Sequence, residues 1–268
     1  GSAPLPATAT HPAEAKTIMK LDVHDAGTTD GRPTYLHRIV LKNAWPAQPA
    51  DWPAVLGGVA LRCNGDTVPL EKVETDAESI EIIPLAGTLQ IPDGESRTLA
   101  IGIYFREQGI PDNPNFRCYF DADSHGWESG NQGSRLAEGQ GYDIYSAVFP
   151  VEVQAQKTSF NDPPSWVSTQ SPFTVRAQAV DAHGNRDKDI TGDIGLKAFF
   201  PGTGTDSLLQ TSTFNEGNVV FGDVHYTGNR PLRLFALPDG DLMPDTTALI
   251  TPGRDLHMVG ESACEGDT

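Results

Sequence analysis

The stretch FTVRAQAVDAHGNRDKDITGDIGLKAFF, Phe173 to Phe200, decides the fold. Phe173, Val175, Ala177 and Ala179 alternate with Thr174, Arg176 and Gln178, a period of two that places one set of side chains on each face of an extended strand. The alternation stops at Asp181-Ala182-His183-Gly184-Asn185 and resumes at DIGLKAFF with no helix-forming run between. A strand, a polar turn and a second strand make the unit of an antiparallel sheet. In the turn, Gly184 suits a positive φ, while Asp181 and Asn185 suit bonds to their own backbone.

The same grammar runs both ways along the chain. Downstream come DSLLQTSTF, GNVVFGDVHY and RPLRLFALP; upstream come TIMKLDVHD, TYLHRIVLKN, GGVALRC, TVPLEKVE, SIEIIPL, TLAIGIYF, NFRCYFDAD and DIYSAVFPVEVQ. TLAIGIYF is the cleanest, with Leu99, Ile101, Ile103 and Phe105 on one face and Ala100, Gly102 and Tyr104 on the other. Turns such as IPDGES, Ile91 to Ser96, combine a fixed φ, a side-chain bond and a positive φ. NAWPAQPADWP, Asn43 to Pro53, has three prolines and two tryptophans and reads as a rigid loop. We read an all-β chain of two consecutive antiparallel β-sandwich, immunoglobulin-like domains. Residues 1–16 read as a flexible leader with a Gly1-Ser2 cloning remnant, 17–156 as the N-terminal sandwich, 157–252 as the immunoglobulin-like sandwich, and 253–268 as a tail or the start of a next module. The boundary falls in a Pro-rich linker around Ala155–Ser165.

Composition narrows the function. Among 268 residues, 36 acidic against 19 basic side chains leave a net charge of −17, which disfavours nucleic acid or an anionic membrane as partner. With 27 Gly and 21 Pro and interspersed charges, the chain matches many short strands joined by turns, and no apolar run is long enough to insert in a membrane.

FTVRAQAVDAHGNRDKDITGDIGL followed by TFNEGNVVFGDVHYTGNRPLRLFA resembles the bacterial Ig-like repeats of large secreted and surface proteins, and DAGTTDGRPTYLHRIVLKN with LQIPDGESRTLAIGIYF resembles a companion sandwich that often precedes them. The buried Trp and paired Cys of antibody domains are not placed correctly here, so kinship with those is architectural. The resemblance implies a modular, exported, non-enzymatic segment and carries no active-site residues. It places the chain outside the cell or on its surface, with neighbouring domains of the same polypeptide as its first partners.

Several residues are candidates for chemistry. Asp121 and Asp123, in DADSHG, give half of an EF-type calcium loop, with His125 where a further ligand would stand. Asp181, Asn185, Asp187 and Asp189 crowd a second turn, and Asp239, Asp241 and Asp245 a third. Calcium is thus the one cofactor to test, against the alternative that Asp and Asn populate turns for their own backbone bonds. Trp45, Trp52 and Trp127 either form a platform for polysaccharide or a host surface, or plug the end of a sandwich. Cys63 and Cys118 either bridge two strands as a disulfide or sit as small buried hydrophobes, and Cys264 lies in the polar tail. No G-x-S-x-G or H-E-x-x-H occurs, and the histidines are scattered singly. The expectation is a non-catalytic spacer or interaction module. The alternatives are an adhesin-like module using the loop tryptophans, and the accessory domains of an exported hydrolase whose catalytic domain lies elsewhere.

Overall fold

A computed structural model describes residues 2–26, 31–121, 127–129 (main chain alone) and 143–254. The chain divides into two compact units, one of residues 1–154 with Asp181–Asp187, the other of 155–180 with 188–268.

In the first unit the strands are β1 (Leu5–Pro6), β2 (Lys16–His24) and β3 (Thr34–Asn43); after a one-turn helix α1 (Trp52–Val55) come β4 (Leu56–Cys63), β5 (Asp66–Val68), β6 (Leu70–Thr75), β7 (Ser79–Pro84), β8 (Gln90–Ile91) and β9 (Ser96–Phe105). The short strands β10 (Asn115–Phe116), β11 (Cys118–Phe120), β12 (Trp127–Ser129), β13 (Ile144–Tyr145) and β14 (Phe149–Glu152) complete it. One sheet has the order β2-β9-β4-β5, a second β13-β11-β3-β7-β6 with β8 and β12 also on β3, and a third, three-stranded sheet has the order β1-β14-β10. Leu99, Ile101, Ile103 and Phe105 of β9 share one core with Leu36, Ile39 and Leu41 of β3 and Ile80 and Ile82 of β7. The alternation in TLAIGIYF is therefore the inner face of a sandwich.

Two sequence runs that read as single strands are each divided. TVPLEKVE breaks at Pro69, which has no N–H for the ladder: β5 pairs with β4 in one sheet and β6 with β7 in the other. NFRCYFDAD breaks at Arg117, where β10 pairs with β14 and β11 with β3 and β13. The leader also departs from expectation. Leu5 pairs in parallel with Val151, and Leu5, Ala7 and Ala9 are buried, so the described residues of 1–16 are built into the first unit. Alternate small apolar residues among the prolines can be buried there, which outweighs the freedom that a Pro/Ala/Thr segment keeps in solution.

The second unit holds β15 (Lys157–Asn161), β16 (Trp166–Ser168), β17 (Phe173–Val180), β18 (Asp193–Phe200), β19 (Thr205–Thr213), β20 (Asn218–Val224), β21 (Arg233–Pro238), β22 (Asp245–Thr246) and β23 (Thr251–Gly253). Its sheets are β15-β17-β20 and β19-β18-β21-β22, with a parallel β16-β23 pair at the side. This is the strand arrangement of an immunoglobulin-like sandwich. Val175, Ala177 and Ala179 of the opening stretch face Ile194, Leu196, Ala198, Phe221, Leu234 and Ala236 in one core. Part of the stretch read as linker is strand: β15 pairs with β17 from Lys157 to Asn161, and buried Thr158 accepts from Asp245 N at 2.9 Å. Threonine tolerates burial there because its hydroxyl finds backbone partners, which a hydropathy pattern cannot register.

Candidate functional site

The acidic turn after β17 comes first. Asp181 is fully buried. Its Oδ1 accepts from the backbone N–H groups of His183 and Asn185, both at 2.9 Å, and its Oδ2 accepts from Asn185 Nδ2 at 2.9 Å. Gly184 has φ +89°, a region that glycine enters without strain. Asn185, also buried, carries the turn further into the first unit: its Oδ1 accepts from Ile110 N at 3.0 Å and its Nδ2 donates to Glu107 O at 2.9 Å. Both residues thus serve backbone groups that would otherwise lie buried without partners.

Asp187 is buried in the same unit, and its carboxylate lies within 4.8 Å of that of Asp112, a residue the sequence reading did not select. Asp112 Oδ1 accepts from Val153 N at 2.8 Å and Oδ2 from Asn113 Nδ2 at 3.2 Å. Asp112 stands in PDNPN, whose turn character hides that its side chain is buried. Two carboxylates at this separation can serve as two oxygen ligands of a hard cation, which needs about 6–8 in all. Asp189 is exposed. Because hydrogen bonds already satisfy Asp181, Asn185 and Asp112, the melting temperature is expected to be the same in excess calcium and in excess chelator. A rise with calcium would reassign Asp112 and Asp187 as ligands.

The carboxylates of the other acidic turns that are buried or half-buried also have protein partners. Asp121 pairs with Lys42 Nζ at 3.4 Å, and Asp123 lies outside the described residues. Asp245 accepts from Phe160 N and Thr246 N, both at 2.8 Å, while Asp239 and Asp241 are exposed.

The tryptophan loop divides by burial. Trp52 begins α1, with the Asp51 side chain accepting from Ala54 N at 3.3 Å, and is 1% exposed, stacked on Phe116 at 4.8 Å between centroids. It is the plug. Trp45 is 59% exposed, and its backbone N–H donates to Asn43 Oδ1 at 2.9 Å. Asn115 clamps the loop between them, donating from Nδ2 to Ala47 O at 2.7 Å and from its backbone N–H to Gln48 O at 2.7 Å. Trp45 and Trp52 therefore do not share a platform. Trp127 is placed by its main chain opposite Ile39 of β3, and its side chain lies outside the described residues. Trp166, which the sequence reading did not select, is 45% exposed.

The two described cysteines are free, which corrects the disulfide alternative. They stand on different sheets: Cys63 ends β4 and is half-buried, and Cys118 is fully buried on β11. Burial raises the Cys63 thiol, with Arg97 partly opposing, and pushes Cys118 up to about 12. Cys118 is expected to resist a thiol reagent in the native protein and to react once denaturant is added. Because its folded value lies above the ordinary 9.0, its contribution to stability is complete below pH 9.0 and is lost as pH rises towards about 12. Urea midpoints across that window should fall more steeply for the native chain than for Cys118→Val. Cys264 lies outside the described residues.

No family model matches the sequence, and no curated protein matches it. Among solved structures, the chain is similar to a glycosyl hydrolase family 2 member from Bacteroides cellulosilyticus, at 11% identity and a TM-score of 0.30, covering 83% of this chain and 29% of that one. It is similar to a titin fragment at 8% identity and a TM-score of 0.21, covering 81% and 68%. It is also similar to BcpA, the major pilin subunit of Bacillus cereus, at 10% identity and a TM-score of 0.24, covering 92% and 62%. The chain thus spans less than a third of the hydrolase. These likenesses concern the fold alone; the class that the strand order defines is a pair of consecutive antiparallel β-sandwiches.

Proposed function

We propose that the chain is a non-catalytic structural module of an exported bacterial protein, spacing or presenting a neighbouring domain of the same polypeptide. The observation that carries this reading is the presence of two separate hydrophobic cores on one chain, one per unit, each enclosed by its own β-sheets. Filled sandwiches of this kind resist extension because strands must be sheared or peeled from a packed core. The acidic turns agree: Asp181 and Asp245 each accept from a local backbone N–H group, work that rigidifies connections. Pulling the whole chain between its ends should give two discrete length increments, one per core, and the chain should turn over no chromogenic ester or glycoside. A single merged increment, or a turnover abolished by substituting a buried carboxylate, would overturn the reading.

One observation favours a second reading, attachment to polysaccharide or a cell-surface protein: the exposed Trp45 ring on a loop clamped by Asn43 and Asn115. A rigid exposed aromatic is a common anchor for a partner, because little side-chain freedom is lost on contact. Glycan-array binding that disappears in Trp45→Ala would establish it, and an array blank for the native chain would remove it.

A further inference from the structure

The first unit carries a cleft of about 330 Å³, lined in part by Gly57, Gly58, Val73, Thr75, Tyr104 and Arg106. Pro53, the last residue of the tryptophan loop, also lines it, whereas the six residues just named belong neither to that loop nor to the acidic turn. The volume is at the lower end of small-molecule sites, enough for one sugar-sized ligand.

The glycine pair shapes the cleft. A Cβ on Gly57 would stand 2.5 Å from Phe105 O and 2.9 Å from Tyr104 Cδ2, and one on Gly58 would strike the Tyr104 hydroxyl. Only a backbone without side chains lets the Tyr104 ring lie directly against it. The result is an aromatic ring held in a fixed position, half-buried, with its polar end at the cleft.

The polar groups are specific. Arg106 Nε donates to Leu56 O at 3.2 Å, which ties the guanidinium to the main chain at one point. No carboxylate among the described residues pairs with it, although the chain has 36 acidic side chains to 19 basic ones; Arg38 and Arg97, by contrast, pair with Glu81 and Glu95. The hydroxyls of Tyr104 and Thr75 likewise make no hydrogen bond to a described residue. The cleft therefore offers one guanidinium, one flat ring and two hydroxyls that can donate or accept. A guanidinium suits a carboxylate, which it can meet with two parallel N–H bonds. The ring suits the apolar face of a pyranose, and the hydroxyls suit its alcohols.

Charge limits the size of the ligand. A chain of net charge −17 repels a long polyanion, but that field decays over a Debye length of about 8 Å at physiological ionic strength. A single carboxylate in contact with Arg106 is held at much shorter range, so one acidic sugar is accepted where a polyanion is not. We propose that this cleft binds a hexuronic acid residue, alone or at the end of a glycan. The inference is independent of the spacer reading.

The test is calorimetric titration of the whole chain with D-glucuronate, D-glucose and acetate, with amide NMR shifts to locate the contact. D-glucuronate should bind saturably, shifting Gly57, Gly58 and Tyr104. Glucose and acetate, each offering half of the contacts, should bind roughly tenfold more weakly or worse. Arg106→Ala should lower glucuronate affinity roughly tenfold or more, and Tyr104→Phe should lower it a few-fold. Trp45→Ala should leave it unchanged. Arg106 is exposed, so the variant should melt with the native chain; should it not, Thr75→Val, expected to weaken glucuronate but not acetate, reads the same cleft. Absence of saturation, equal binding of acetate and glucuronate, or undiminished affinity in both Arg106→Ala and Thr75→Val would overturn the proposal. A blank titration leaves the two-step extension of the spacer reading untouched, and a single merged extension step leaves this cleft untouched.

Discussion

Trp52→Ala should remove about 3–5 kcal/mol of folding free energy, the largest loss expected of any single truncation in the loop. The ring is 1% exposed and stacks on the fully buried Phe116 with an interplanar angle of 17°. Its removal leaves a cavity bounded by elements that cannot collapse easily. Asn115 pins the loop on one side, and the first strand after it, β4, is hydrogen-bonded through its length to β9 on the other. The stack itself adds about 0.5–1.5 kcal/mol beyond area burial, so Trp52→Phe, which keeps a ring in place, should lose about half as much as alanine. Urea denaturation reads the difference as a fall in midpoint at constant slope. Trp45→Ala in the same loop should stay within about 0.5 kcal/mol, because its ring faces solvent. Equal losses at the two positions would mean that the plug and the exposed ring have been wrongly distinguished.

Asp181→Ala ranks second, at about 3 kcal/mol. The substitution takes an acceptor from three donors at once, the His183 and Asn185 backbone N–H groups and the Asn185 amide, in a place that water does not reach. The loss then spreads, because Asn185 is itself the partner of Ile110 N and Glu107 O. Asp181→Asn should cost about 1–2 kcal/mol, since one oxygen can still accept while the new amide faces the Asn185 donor. Thermal melts of the three chains, with proteolysis near Glu107 and Ile110 as a local probe, test the chain of bonds. A melt unchanged in Asp181→Ala would show that the turn does not need its carboxylate.

How much of this was legible in the sequence depends on which kind of force was at work. Period-two burial was written plainly: Val175, Ala177 and Ala179, and Leu99, Ile101 and Ile103, are inward-facing where alternation places them. The DAHGN turn was legible for the same reason, since Gly184 and the Asp181 and Asn185 side chains act on residues within a few positions. What was not legible acts between residues far apart in sequence. Asn185 bonds Ile110, 75 positions away, and Asn115 bonds Ala47, 68 positions away. The sheet switches at Pro69 and Arg117 were half visible, as a proline in one case and as nothing in the other.

The candidate sites follow the same division. Trp45 and Trp52 look alike in NAWPAQPADWP, each followed by proline, and only the packing of Phe116 beneath one of them separates plug from exposed ring. Tyr104 and Arg106 stood in view, on the outer face and at the end of the cleanest strand, yet nothing in their spacing announced a cleft, because its other wall comes from β6 and its close approach from Gly57 and Gly58. The sequence by itself determined the all-β class, the inward faces of the strands and the local turns, all of which depend on side chains within a few residues. Tertiary structure alone decided which strands share a sheet, which cysteines and tryptophans are buried, and which polar groups are left facing a common space, because those outcomes depend on the free energy of bringing distant segments together.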